Sequence, residues 1–118
     1  MAGVFLPLHP MEHQYLITDD LPQVFTRDEE LPHIMDPSGE SYLRQEGKGL
    51  VIGIYEQDCD PWALDGTRWD FGHELLDNKL DRIGDALEFA FKRFPCLATA
   101  GIKTVVNGPF TFAPDGNP

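Results

Sequence analysis

The chain has 118 residues, the size of one domain, and nine Lys plus Arg against 20 Asp plus Glu leave a formal charge of −11 at pH 7. Hydrophobic residues make up 42% and aromatic residues 11%, enough to bury a core, which argues against wholesale disorder. Lys and Arg form no cluster, which excludes a nucleic-acid or anionic-membrane surface, because both partners are polyanions.

The first basic residue is Arg27, so the N-terminus lacks the basic region of a secretory signal and the arginines of a mitochondrial presequence. The longest apolar stretch, Ala2 to Leu8, is far short of the ~20 residues of a membrane helix, and a soluble protein is expected. The β-formers of Gln14-Tyr15-Leu16-Ile17-Thr18 predict a strand from about Met11 to Thr18, ended by Asp19-Asp20-Leu21-Pro22. Polar residues and a proline predict a surface loop from Leu21 to Glu30, then a short strand near Leu31 to Asp36. Asp36-Pro37-Ser38-Gly39 has turn chemistry. Tyr42 to Gln45 and Leu50 to Tyr55 read as strands joined by a tight reversal at Gly47-Lys48-Gly49, completing a meander.

From Glu56 to Gly72 no period is visible, and Trp62, Trp69 and Phe71 are read either as anchors of an irregular loop or as the lining of a pocket. Leu76, Leu80, Ile83, Leu87, Phe91 and Phe94 form an amphipathic stripe that predicts one helix over about 75–94, stopped by Pro95. Ile102 to Val106 is a strand, which Asn107-Gly108-Pro109 is expected to break before a short return segment at Phe110-Thr111-Phe112. The order β-β-β-β-α-β-β indicates an α+β fold with a largely antiparallel sheet. The acidic residues, Asp58 and Asp60 among them, are dispersed as a solvated surface would require.

His9-Pro10-Met11-Glu12-His13 matches H-x-x-E-H, but zinc ligation needs both histidines on one helix turn. Pro10 disfavours a helical His9, and a strand sets i and i+4 ~13 Å apart, so no metal is assigned. Gly47-Lys48-Gly49-Leu50-Val51-Ile52-Gly53 precedes a strand, whereas a dinucleotide loop follows one. Cys59 and Cys96 have no C-x-x-C partner, and Asp58 and Asp60 beside Cys59 disfavour its thiolate. His13 on the first strand and Tyr42 on a later one remain as titratable candidates; by spacing alone each is more readily read as structural than as functional.

Met11-Glu12-His13-Gln14-Tyr15, Leu31-Pro32, Asp36-Pro37, Tyr42-Leu43-Arg44-Gln45-Glu46-Gly47, Tyr55-Glu56, Leu80-Asp81-Arg82-Ile83, Val106-Asn107-Gly108-Pro109 and Pro114-Asp115-Gly116, in that order, resemble the dimethylglycine and sarcosine dehydrogenases. These are FAD-dependent amine oxidoreductases of the D-amino-acid-oxidase type. The resemblance implies that residues 1–118 form a single domain, the substrate-binding portion, roofing the flavin while a Rossmann segment elsewhere holds FAD. It implies His13 and Tyr42 as catalytic residues that tune protonation of the substrate amine, an imidazole hydrogen-bonded to a phenol. Arg44 is a candidate for the substrate carboxylate or for a structural salt bridge, and Gly108, Pro114, Asp115 and Gly116 are candidates for the cofactor side. Met35 and Ala113 depart from the family pattern, which commonly has an arginine at the first position and Thr or Ser at the second.

The implied partners are an N-methyl amino acid and the remainder of the flavoprotein, with no nucleic acid and no membrane. The implied compartment is cytoplasmic in a bacterium or the mitochondrial matrix in a eukaryote. Alone, the chain is expected to be inactive and to expose apolar surface. The alternative is a non-catalytic acidic binding or docking domain that keeps the fold.

Overall fold

Alternation sets the first strand, β1 (His9–Thr18): Gln14, Leu16 and Thr18 are buried on one side, while His13, Tyr15 and Ile17 point to the other. The computed structural model describes residues 3–116; Met1-Ala2 at the apolar start and Asn117-Pro118 at the closing segment lie outside the described residues. A single helical turn, α1 (Pro22–Phe25), follows β1 inside the stretch expected to be a loop. Pro22 supplies a preset φ at its first turn, and burial of Val24 holds it down.

β2 (Ile34–Asp36) ends in a 3-10 turn, Pro37–Gly39, where the Asp36 carboxylate accepts from the Gly39 N–H at 3.2 Å. Asp36 also accepts from Arg93 Nε at 2.9 Å, which ties the turn to the end of the later helix. β3 (Ser41–Glu46) and β4 (Gly49–Ile54) form a hairpin whose reversal holds Gly47 at φ +58°, in the region that favours glycine. α2 (Gly84–Arg93) is preceded by a 3-10 turn, Leu80–Ile83, and β5 (Ile102–Phe112) closes the fold.

The five strands form one sheet in the order β2-β3-β4-β1-β5, each pair antiparallel, with the predicted meander intact. One face carries the core: Leu16, Leu43, Leu50, Ile52 and Ile54 pack against Ile83, Leu87, Ala90 and Leu97. Each fully buried Leu or Ile contributes about 1.5–3 kcal/mol relative to its exposed state. Cross-strand register places Met35, Tyr42, Gly53, Tyr15 and Val106 in one row on the opposite, helix-free face.

Three sequence expectations are corrected. The helix spans 84–93 with a 3-10 lead-in from 80, not 75–94. Residues before it are tied to the sheet: Leu76 N–H donates to Asn107 O at 2.8 Å, and the Gln14 amide brackets the Lys79 backbone, at 2.8 Å to its N–H and 3.1 Å to its carbonyl. A segment whose backbone donors are taken by a strand cannot close helical bonds. The expected break at Asn107-Gly108-Pro109 does not occur, because β5 is an edge strand and Pro109 there costs no ladder bond on its outer side. Trp62 and Phe71 do anchor the loop, with ring centroids 4.6 Å apart, whereas Trp69 is 93% exposed. Among the described residues no helix is long and apolar enough to cross a membrane.

Candidate functional site

The helix-free face carries a cavity of about 540 Å³ lined by His13, Tyr15, Tyr42, Tyr55, Gly108 and Phe110 together with neighbouring groups. Register builds it. His13 pairs with Gly108 across β1 and β5, and Tyr42 and Tyr15 both pair with Gly53, so alternate residues of four strands look into one space. Two glycines matter in opposite ways. At Gly53 a Cβ would lie 2.0 Å from the Tyr42 ring, so the missing side chain is what lets the phenol lie across the sheet. At Gly108 a Cβ would meet nothing within 4 Å, leaving bare backbone open to the cavity.

That geometry predicts that Gly53→Ala moves Tyr42 rather than merely crowding it. Overpacking of this kind costs about 1–3 kcal/mol, and the Tyr42 ring resonances should shift while those of Leu87 and Ala90, on the other face, stay in place. An NMR spectrum with unmoved Tyr42 signals would refute the assignment.

The His13 ring stacks on Phe110 (centroids 5.8 Å apart, 25° between planes) and leans on Phe112 at 5.4 Å. Its Nδ1 is 3.2 Å from the Glu12 carbonyl. A carbonyl oxygen only accepts, so this contact is a hydrogen bond when Nδ1 carries the proton, and Nε2 is then the lone-pair nitrogen. Tyr42 touches His33 edge-on at 5.6 Å and Tyr55 at 5.8 Å. Burial pushes its phenol above the ordinary value; Arg44 pulls it down, and Tyr15 and Tyr55 add to the rise. At neutral pH Tyr42 is therefore a proton donor. No hydrogen bond joins His13 to Tyr42 among the described residues, since β4 runs between their strands. The pair shares the cavity and not a direct contact, unlike the imidazole–phenol bond expected from sequence.

The other candidates divide. Gly108 and Gly116 line the same cavity, and Gly116, at φ +79°, closes a turn by donating from its N–H to Ala113 O at 2.9 Å. Pro114 instead lines an adjoining cavity of about 560 Å³ with His9, Cys59 and Phe5, and the two spaces share Phe112 and Gly116. Asp115 lies in the turn between them and lines neither. Arg44 follows Tyr42 by two residues on the same face of β3, is paired with Glu46, and does not line the cavity. His9 and His13 sit on one strand, and the Glu12 carboxylate is taken by Lys79 at 2.9 Å and Asn107 at 3.1 Å, so the H-x-x-E-H match builds no metal geometry. Burial chiefly, then Glu56 and Asp60, pushes the Cys59 thiol up, which keeps it protonated and unreactive.

Sequence reasoning missed the charged network beneath the site. Arg82 donates through Nε to Glu56 at 2.6 Å, through Nη1 to Asp60 at 2.8 Å and through Nη2 to the Glu12 carbonyl at 3.2 Å. Lys79 bridges Asp60 at 2.8 Å and Glu12 at 2.9 Å, and the second oxygen of Glu56 accepts from Gln14 N–H at 2.7 Å. Asp60, expected on a solvated surface, is thus a bridge. Burial would raise the Glu12 carboxyl, but hydrogen bonds from Lys79 and Asn107 and the charges of Lys79 and Arg82 outweigh it and hold it below the usual range. The network clamps the 56–79 connection to the back of the strand that carries His13. The sequence signal was that Glu12, Glu56 and Arg82 each fall within a quoted motif, with no pairing among them legible.

No family model matches the chain. It is 43% identical over 98% of its length to the mitochondrial dimethylglycine dehydrogenase of Mus musculus, and 35% identical over its whole length to the mitochondrial sarcosine dehydrogenase of that organism. A third relative, at 32% over 93% of the chain, is the mitochondrial pyruvate dehydrogenase phosphatase regulatory subunit of Mus musculus. The chain spans 14%, 12% and 12% of these proteins, respectively. Among solved structures, L-proline dehydrogenase from P. horikoshii superposes on 99% of the chain and 28% of its own length, with a TM-score of 0.63 at 21% identity, a likeness of fold.

Proposed function

We propose that this chain, homologous to one segment of the dimethylglycine and sarcosine dehydrogenases, forms the substrate-side wall of an FAD-dependent oxidoreductase that oxidises the C–N bond of an N-methylated amino acid. The sheet is then the substrate-binding portion of a D-amino-acid-oxidase-like flavoprotein, with the FAD-binding Rossmann segment supplied elsewhere in the protein. The observation that carries this reading is the convergence of His13 and Tyr42 with the bare backbone of Gly108 and Gly116 on one aromatic cavity.

The residues present suit a flat ring. Gly108 offers backbone without a side chain, Gly116 offers a turn, and Phe110 and Phe112 offer apolar walls. Flavin, when bound, supplies the acceptor for the hydride that leaves the N-methyl carbon. The chain's own residues prepare the amine for that loss. Hydride departure requires a free lone pair on nitrogen, so the substrate ammonium must first give up its proton. Nε2 of His13 is the acceptor in the tautomer held by the Glu12 carbonyl, and Tyr42 is a donor that orients the substrate. Phe110 and Phe112 pack against the imidazole and hold its ring in place.

The full-length protein that carries this chain should show a visible flavin band that bleaches when dimethylglycine or sarcosine is added without oxygen. A colourless protein, or a flavin band that neither amine bleaches, would refute the oxidase reading. The match to a protein named as a regulatory subunit favours the second reading in that event, a binding or docking domain of the same fold.

A further inference from the structure

We infer that Tyr55, with Tyr42 and Tyr15, forms an aromatic corner that grips the methyl groups of the substrate ammonium and makes the site prefer more heavily N-methylated amines. The inference rests on the functional reading above and adds a specificity-determining residue, Tyr55, that it does not use. Tyr55 is two residues beyond Gly53 on the same side of the chain, which brings its ring to 5.8 Å from Tyr42, with 54° between planes. The gap at Gly53 lets Tyr42 lie flat, and Tyr15 lines the floor beside it on β1. No Asp or Glu lines this cavity among the described residues.

That combination selects a particular kind of cation. A primary ammonium keeps three strong N–H donors and is costly to strip of water unless acceptors replace its shell. Three tyrosine rings without a carboxylate replace it poorly. Each methyl group removes a donor and spreads the charge over a softer surface that aromatic faces bind well. A lining without carboxylates also avoids holding the ammonium as a tight ion pair, so its remaining proton can still pass to His13. Tyr55 is 37% exposed, so it sits at the mouth, where it meets the methyl groups without supporting the core.

The test uses the flavin-loaded full-length protein and two ligands that differ only at nitrogen, N,N,N-trimethylglycine and glycine, neither of which carries an N-methyl amine lone pair to oxidise. Calorimetric Kd values should favour trimethylglycine. Tyr55→Leu should erase about tenfold of that preference, and Tyr55→Phe, which keeps the ring, should retain it. Equal flavin content and unchanged far-UV circular dichroism verify that both variants fold. Amine turnover reads the underlying function separately. Bleaching by dimethylglycine with a Kd ratio that Tyr55→Leu leaves unmoved overturns the inference and leaves the oxidase reading standing. A ratio that collapses in a protein that oxidises neither amine supports the methyl-reading corner and refutes the oxidase.

Discussion

Arg82→Met should cost about 3–5 kcal/mol of local stability, the largest structural effect of any single substitution considered for this chain. The Arg82 side chain is 12% exposed and faces Glu56 at 2% and Glu12 at 12%. Methionine keeps much of the stem volume but strands carboxylates that are cut off from water, and Lys79 reaches only Glu12 and Asp60, leaving Glu56 with the Gln14 N–H. A cost of that size is a large part of the about 5–15 kcal/mol that holds a domain together. Hydrogen exchange of the intact protein, read on residues 9–18 and 76–83, should lose most of its protection. The comparison is Lys92→Met, which breaks a pair with Glu88 that is 73% and 68% exposed and should leave exchange unchanged. Equal effects of the two would refute the clamp.

Acid provides a second route to the same network. The Glu12 and Asp60 carboxyls are held below their ordinary range, so the unfolded chain binds more protons than the folded one as pH falls. Their stabilisation is therefore complete above the usual carboxylate range near ~4 and lost as pH drops through the lowered folded values. Protection in the same two segments should fall below about pH 4, and the fall should be shallower in Arg82→Met.

His13→Gln should slow flavin reduction by the N-methyl amine about 10²-fold, the size of effect expected when a positioned general base is lost. Glutamine keeps polarity near the imidazole position and so separates shape from basicity. The rate in the variant should rise with pH only as free amine accumulates in solution, whereas the native protein works on the protonated ligand. Tyr42→Phe should cost less and should not remove the pH dependence, because the phenol is already a neutral donor and its loss affects orientation. The two need not add, since they act on one substrate. Unchanged reduction rates and pH profiles in both variants would remove these residues from the chemistry.

The strands of the meander were legible because short β-rich runs were bounded by turn residues, and Gly47-Lys48 and Asp36-Pro37 punctuated the chain where it turns. The helix start was not legible. The stripe from Leu76 to Phe94 fits a helix throughout, and only the bonds from Gln14 and Asn107, far away in sequence, pull its first part straight. Pro109 misled for a related reason: its cost depends on whether a strand is central or at an edge, which is a property of the sheet. The site was half legible. His13, Tyr42, Gly108 and Gly116 were named in advance and share one cavity, whereas Tyr55 and the partners of Arg82 depend on register and burial, which no local pattern states.

The pairing of β1 with β5 runs from His9 opposite Phe112 to Thr18 opposite Ile102. The first and last strands therefore meet the rest of any longer polypeptide side by side, about 5 Å apart. A unit with that arrangement can be carried like a bead on a doubled thread. Because the two strand ends lie together, such a unit can be inserted in a longer polypeptide without changing the spacing of the segments that flank it.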